Sequence, residues 1–126
     1  MHELTVPNPE LPRIVGWGDD ITVWAYAGTH DFSDPIIKQM SPYYYVTSAF
    51  PATYITGGNS DPLTKVQSMP LADSLEALGV KVTRHFFADD HQPALPHEYQ
   101  FNLDLQDGMT ALQKTIEFSK AVTAQN

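Results

Sequence analysis

The sequence predicts an α/β fold: a βαβ unit with parallel strands, followed by a C-terminal helix. Three observations support this class, namely two strand-like runs, a helical pattern between them and an amphipathic pattern after them. With 126 residues, the chain can bury a sizeable core, and its length favours one domain over two. We divide that single domain into an extended, cap-like N-terminal segment, 1–34, and an α/β portion, 35–126.

The N-terminal segment offers few regular elements. The run P-N-P-E-L-P at 7–12 excludes a helix, because its prolines fix φ and lack amide donors. Asp20 ends a glycine-rich turn and is a candidate N-cap for residues 21–27, which fit a buried strand or a helix equally well. Residues 35–40 predict one helical turn, which ends before the Ser-Pro pair at 41–42.

The central region carries the first strand and the helix. The β-rich run 52–56 predicts a strand that lies between Pro51 and two glycines. Apolar residues then recur at helical spacing over 63–78, and Thr64 begins a capping-box pattern. Pro70 interrupts this helix, so we expect the helix either to kink there or to begin later.

The second strand and the last helix complete the pattern. Gly79 lies where a left-handed helix cap favours glycine. Over 80–88, apolar and polar residues alternate as they do in a strand. A helix between two strands predicts a parallel pair with a right-handed crossover. A loop is expected over 89–96 and a helix over 107–122. One face of that helix carries Met109, Leu112, Ile116 and Ser119.

Composition excludes several classes of function. Seven basic and fifteen acidic side chains give a net charge of −8, so the chain lacks the basic surface that nucleic acids or anionic membranes require. No apolar run approaches the roughly 20 residues that span a bilayer, and residues 1–7 lack signal-peptide features. We therefore expect a cytoplasmic protein. The absence of cysteine excludes disulfides, thiolate metal sites and a cysteine nucleophile.

Two polar loops follow the predicted strands, at 57–63 and 89–97. Ligands of open α/β sheets bind outside the carboxyl ends of the strands, so Asp61 and His97 are able to meet there. A carboxylate that accepts a hydrogen bond from one imidazole nitrogen fixes the tautomer and leaves the other nitrogen to act as a base. Taken alone, these residues favour other roles: Asp61 before proline as a turn or helix-start residue, and His97 as a solvated loop residue.

Four motifs surround these loops: S-P-Y at 41–43, P-A-T-Y-I-T-G-G-N-S-D-P-L at 51–63, L-E-A-L-G-V-K-V at 75–82 and P-H-E-Y-Q-F at 96–101. Over about 35–120 the chain resembles the C-terminal part of α/β-hydrolase carboxylesterases and lipases related to hormone-sensitive lipase. The resemblance implies that Asp61 is the acid and His97 the base of a Ser-His-Asp triad. It also implies a small or medium ester as substrate and no cofactor.

The family's nucleophile is missing from the matched motifs. Neither its G-x-S-x-G elbow nor its H-G-G-G-type oxyanion loop occurs in this sequence. We therefore expect the acid and base to act with a serine supplied by a missing N-terminal part or by another chain. The alternative is a non-catalytic α/β module or inactive fragment, expected to be a homo-oligomer because a two-stranded sheet exposes its edges.

Ser60 is a second candidate nucleophile. It lies in G-N-S-D-P at 58–62 after a predicted strand, and Asp89 or Asp90 would then supply the acid. The proline takes the place of the glycine that relaxes the strained elbow, so a turn-forming hydroxyl is the favoured interpretation.

The remaining histidines are weaker candidates. His91 is favoured as a polar loop residue, and His85, in the second strand, as a structural histidine. A divalent cation could be bound by Asp89, Asp90, His91 and His97. No ligand pair among them has helical spacing, so a metal site is only a minor alternative and we predict none.

Overall fold

The computed structural model describes residues 24–31 and 33–124. Its helices and strands are, in chain order, α1 (Pro35–Met40), a 3₁₀ helix (Pro42–Tyr45), β1 (Thr53–Gly57), a π-helical turn (Thr64–Ser68), α2 (Met69–Ala77), β2 (Val82–Phe86), a second 3₁₀ helix (Tyr99–Phe101) and α3 (Gln106–Thr123). Residues 24–27 form a further helical turn. The predictions for the proline-rich run and for Asp20 lie outside the described residues.

The two strands form a parallel pair, as predicted. Thr53 lies opposite Val82, and Gly57 lies opposite Phe86. Side chains alternate between the faces of a strand, so Tyr54 and Arg84 point to opposite sides of this sheet. Arg84 donates hydrogen bonds to acidic side chains of α2, whereas the Tyr54 ring packs near a phenylalanine of α3. The sheet is therefore covered by α2 on one face and by α3 on the other, which confirms a mixed α/β architecture.

The short helix α1 has the predicted bounds. The Asp34 carboxylate accepts a hydrogen bond from the Ile36 amide at 2.9 Å, which satisfies one of the free donors at the helix start. Pro35 occupies the first turn, where its missing amide costs nothing, and Ile37 is fully buried. The helix ends at Met40, before the Ser-Pro pair.

The capping box predicted at Thr64 is wrong. The Thr64 hydroxyl donates instead to the carbonyl of Gly58 at 2.9 Å, so it caps no helix. Residues Thr64–Ser68 form a π-helical turn, in which the Met69 amide bonds to the Thr64 carbonyl. Regular α-helix begins only at Met69, which places Pro70 in the first turn of α2 and agrees with the predicted later start.

Gly79 ends α2 in the predicted left-handed conformation, with φ of 79°. Its amide bonds to the Glu76 carbonyl at 2.9 Å, and the Val80 amide bonds to the Leu75 carbonyl at 3.0 Å. This is the Schellman pattern, and the buried Val80 and Leu75 supply its apolar contact. Because the cap uses the Val80 amide, β2 begins at Val82, two residues later than predicted; it also ends earlier, at Phe86.

The helix α3 packs through its small residues. Gly108 and Ala111 are buried, and a Cβ on Gly108 would collide with the Asn102 carbonyl oxygen. The predicted apolar face is not the buried one, since Met109, Leu112 and Ile116 are 47, 40 and 45% exposed. Within the described residues, no helix has both the length and the apolar character that a membrane span requires.

A small core lies beneath the loop that follows β2. Leu95 and Tyr99 of this loop are buried together with Ala111 of α3, and Phe87 and Leu105 pack beside them. Burial of such side chains contributes roughly 1.5–3 kcal/mol each. The loop that carries His97 is therefore part of the packed structure on both sides of the histidine.

Candidate functional site

Asp61 and His97 are in direct contact in the structure. The His97 Nδ1 atom lies 2.9 Å from Oδ2 of Asp61. The other carboxylate oxygen accepts a hydrogen bond from the Leu63 amide at 2.8 Å. The Asp61 side chain is only 9% exposed, whereas that of His97 is 61% exposed. The acid is thus fixed inside the loop while the imidazole is accessible to solvent.

This contact determines what the imidazole can do. A carboxylate only accepts hydrogen bonds, so Nδ1 of His97 carries the hydrogen and donates it to Asp61. In the neutral ring, Nε2 is then an unprotonated acceptor. None of the described residues forms a hydrogen bond with that nitrogen. The pair therefore presents an oriented base to an incoming molecule.

Two loops meet at this site because the strands before them are parallel. Gly58, directly after β1, is buried, and a Cβ there would collide with the carbonyl oxygen of Leu95. The Ser60 amide donates to the same carbonyl at 2.9 Å. The first loop thus lies against the second with no space for a side chain at Gly58.

The chain bends sharply directly after His97. Glu98 has φ of 59°, the left-handed region, where a non-glycine residue costs about 1–3 kcal/mol. Tyr99 is 2% exposed, and its hydroxyl lies 2.6 Å from Oγ1 of Thr56 in β1. His97 therefore lies on a bend between two buried residues, Leu95 and Tyr99, both of which are bonded to β1 or its loop.

The sequence pattern assigns no role to Asn59. Its amide nitrogen donates to the carbonyls of Asp89 and His91, at 3.2 and 3.0 Å, and its oxygen accepts from the Leu95 amide at 2.9 Å. An asparagine after two glycines is typical of a turn, and the sequence shows no signal of contact with a loop thirty residues later. The structure makes it a bridge between the two loops.

His91 belongs to a second pair, separate from the first. Its Nε2 atom lies 2.9 Å from Oδ2 of Asp107 in the first turn of α3, and its ring packs 4.7 Å from that of Phe87. The two side chains are 28 and 22% exposed. His91 thus joins its loop to α3 and is not the base partner of Asp61; it is a polar loop residue, the role favoured for it, with a carboxylate partner that was not predicted.

The minor metal alternative receives no support from the geometry. Asp89 forms an ion pair with Lys65 at 2.8 Å, and His91 and His97 are paired with different carboxylates. Across 24–31 and 33–124, no group of three or more histidine, aspartate or glutamate side chains is placed to hold a metal ion. The four candidate ligands therefore do not converge.

The Ser60 nucleophile is also not supported by the geometry. Ser60 lies in an exposed turn between β1 and the π-helical turn, but among the described non-glycine residues only Glu98 has a positive φ. The strained elbow of a serine nucleophile is therefore absent at Ser60. No hydrogen bond joins the Ser60 hydroxyl to His97 or to another described residue. The Ser60 amide donates to the Leu95 carbonyl, which is the behaviour of a turn residue.

His85 has the structural environment predicted for it. It is 8% exposed, and its Nδ1 atom lies 2.8 Å from the Tyr54 hydroxyl. Burial lowers the pKa of His85 below the usual value of 6.5, and the positive charge of Lys114 lowers it further, whereas Asp107 opposes the shift. The imidazole is therefore neutral at physiological pH.

We expect stability to fall on acidification because of His85. A lowered pKa in the folded state means that the unfolded chain binds more protons below about pH 6.5. The free energy of unfolding should thus decrease as the pH falls through 6.5 towards the folded pKa. Urea unfolding at neutral and mildly acidic pH measures this slope. The His85→Gln variant should show a smaller slope; an unchanged one would contradict this assignment.

Comparisons with known proteins identify no relative. No protein-family model, curated protein or solved structure matches the chain. The functional assignment consequently depends on the motifs around the two loops and on the geometry of the Asp61–His97 pair.

Proposed function

We propose that this chain carries the acid and base of a serine carboxylesterase of α/β-hydrolase type, with Asp61 as the acid and His97 as the base. The observation that carries the proposal is the 2.9 Å contact between a nearly buried carboxylate and an exposed imidazole. Their chain order supports it, because in α/β-hydrolases the acid precedes the histidine. The parallel βαβ unit places both residues after strand ends.

The chemistry follows the serine hydrolase pattern. His97 Nε2 takes the proton of a serine hydroxyl as that oxygen attacks the ester carbonyl, and Asp61 stabilises the imidazolium that forms. The imidazolium then gives its proton to the leaving alcohol. In the second half-reaction, His97 activates water, which attacks the acyl-enzyme and releases the acid. The serine and the oxyanion donors come from polypeptide outside the described residues.

The test is hydrolysis of a short p-nitrophenyl ester, measured in the native polypeptide that contains these residues. The His97→Ala variant should lose activity by about 10³-fold or more, since no other described histidine is paired with Asp61. Labelling by a fluorophosphonate probe should fall in parallel, because the serine loses its base.

The matched control is His30→Ala. His30 is also exposed, but it stacks on Trp24 with 5.1 Å between ring centroids and has no carboxylate partner among the described residues. Its removal should leave hydrolysis unchanged. Equal rates for wild type and His97→Ala would eliminate the esterase proposal.

A second candidate function is that of a non-catalytic, self-associating module. The exposed face of α3, with Met109, Leu112 and Ile116, favours it, as does a sheet of only two strands within the described residues. Sedimentation at increasing concentration tests this alternative. A Leu112→Glu variant should dissociate a dimer formed through this face, and a monomer at all concentrations would exclude it.

A further inference from the structure

The two loops of the site run side by side in one register. The Asn59–Leu95 hydrogen bond and the Asp61–His97 contact join residues with the same separation of 36. Each partner of the first link thus lies two residues before a partner of the second. The hydrogen bond between Asn59 and Leu95 therefore also constrains the distance between Asp61 and His97.

The carboxamide of Asn59 matches the groups it bridges. Its nitrogen has two hydrogens, and both are donated, to the carbonyls of Asp89 and His91; its oxygen accepts from the Leu95 amide. Aspartate has the same shape but no donor, and serine is too short to span three backbone groups. Few side chains could replace this set of bonds.

The main packing contacts of the structure do not include the Asn59 side chain. The strand pairing, the cap of α2 and the apolar cluster of Leu95, Tyr99 and Ala111 are made by other groups. The Ser60 amide also holds Leu95 independently. The side chain of Asn59 thus fixes the path of residues 89–95 and takes no part in the packing of the rest of the domain.

We infer that Asn59 is a positioning residue: it holds the His97 loop so that Nδ1 of His97 remains on Asp61. Its side chain forms no hydrogen bond with either member of the pair and acts through the backbone of Asp89, His91 and Leu95. The geometric role stands by itself; its effect on turnover rests on the proposed esterase function.

The experiment compares Asn59→Ala with wild type by two readouts. Long-range ¹H–¹⁵N correlation spectra of the imidazole report its tautomer, and wild-type His97 should show the Nδ1–H form. In Asn59→Ala this preference should be lost. Ester hydrolysis should show kcat lower by about 10- to 100-fold, with little change in KM, because a small displacement of the base affects the chemical step.

Asn102→Ala is the matched control. The Asn102 side chain is exposed and accepts only from the Asp104 amide, at 3.2 Å, so its loss should leave the tautomer and kcat unchanged. Asn59→Ser replaces Asn59→Ala if the latter does not fold. If both Asn59 variants fail to fold while Asn102→Ala folds, the whole domain requires Asn59 for folding. That result would overturn the inference.

The outcomes separate the two proposals. An unchanged His97 tautomer in the folded Asn59 variant overturns the positioning role, whatever the hydrolysis rate. A lost tautomer preference in a protein whose wild type hydrolyses no ester supports the positioning role and overturns the esterase function. Loss of the Nδ1–H preference of His97 together with a lower kcat supports both the positioning role and the esterase function.

Discussion

The Asp61→Asn variant should lose ester hydrolysis by about 10³- to 10⁴-fold while keeping its fold. Its oxygen can still accept from the Leu63 amide, as Oδ1 of Asp61 does. The group that faces His97 then becomes an NH₂ donor. Nδ1 of His97 must accept from it, which moves the hydrogen to Nε2 and removes the base.

Steady-state hydrolysis of a p-nitrophenyl ester measures this loss, and circular dichroism checks the fold. Asp90→Asn is the matched control, because it makes the same change of charge at an exposed position in the loop that carries His97. Asp90→Asn should retain full activity. If the two variants have the same activity, Asp61 is not the acid.

The Gly58→Ala variant should be destabilised by about 3 kcal/mol, the upper part of the range for overpacking. The new Cβ meets the carbonyl oxygens of Leu95 and Pro96, and these are backbone atoms that cannot rotate away. The two loops must separate to admit it. Urea unfolding gives the loss in the free energy of unfolding, and the imidazole spectrum of His97 should show that its contact with Asp61 is broken.

Gly79→Ala separates this steric effect from backbone strain. Gly79 has φ of 79°, but a Cβ there has no atom within 4 Å. Its substitution should cost about 1–2 kcal/mol from the left-handed conformation alone and leave the His97 spectrum unchanged. A Gly58→Ala variant as stable as Gly79→Ala would show that the loops yield easily and would refute the close contact.

The sequence was sufficient for those features that depend on local pattern. The run 52–56 and the alternation of apolar and polar residues after Gly79 predicted both strands to within two residues at every boundary. A helix between them required a parallel pair, which brought Asp61 and His97 to the same edge. The left-handed Gly79 was predictable because glycine alone adopts that cap at little cost.

The features that the sequence did not predict depend on contacts between distant segments. The Thr64 hydroxyl has the pattern of a helix cap, but the approach of Gly58 gives it another acceptor. Asn59 is typical of a turn until the carbonyls of residues 89 and 91 lie next to it. Likewise, the apolar spacing of α3 gave no indication that its small residues, Gly108 and Ala111, form the buried side.

The backbone bonds between the two loops have a consequence for amide exchange. The Ser60 amide is bonded to Leu95, and the Leu95 amide is bonded to Asn59. Both protons should exchange when the loops part, so the two amides should report the same free energy of opening. The same opening separates Asp61 from His97. Deuterium uptake at these two amides, corrected for their intrinsic exchange rates, therefore reports the free energy of opening of the candidate site.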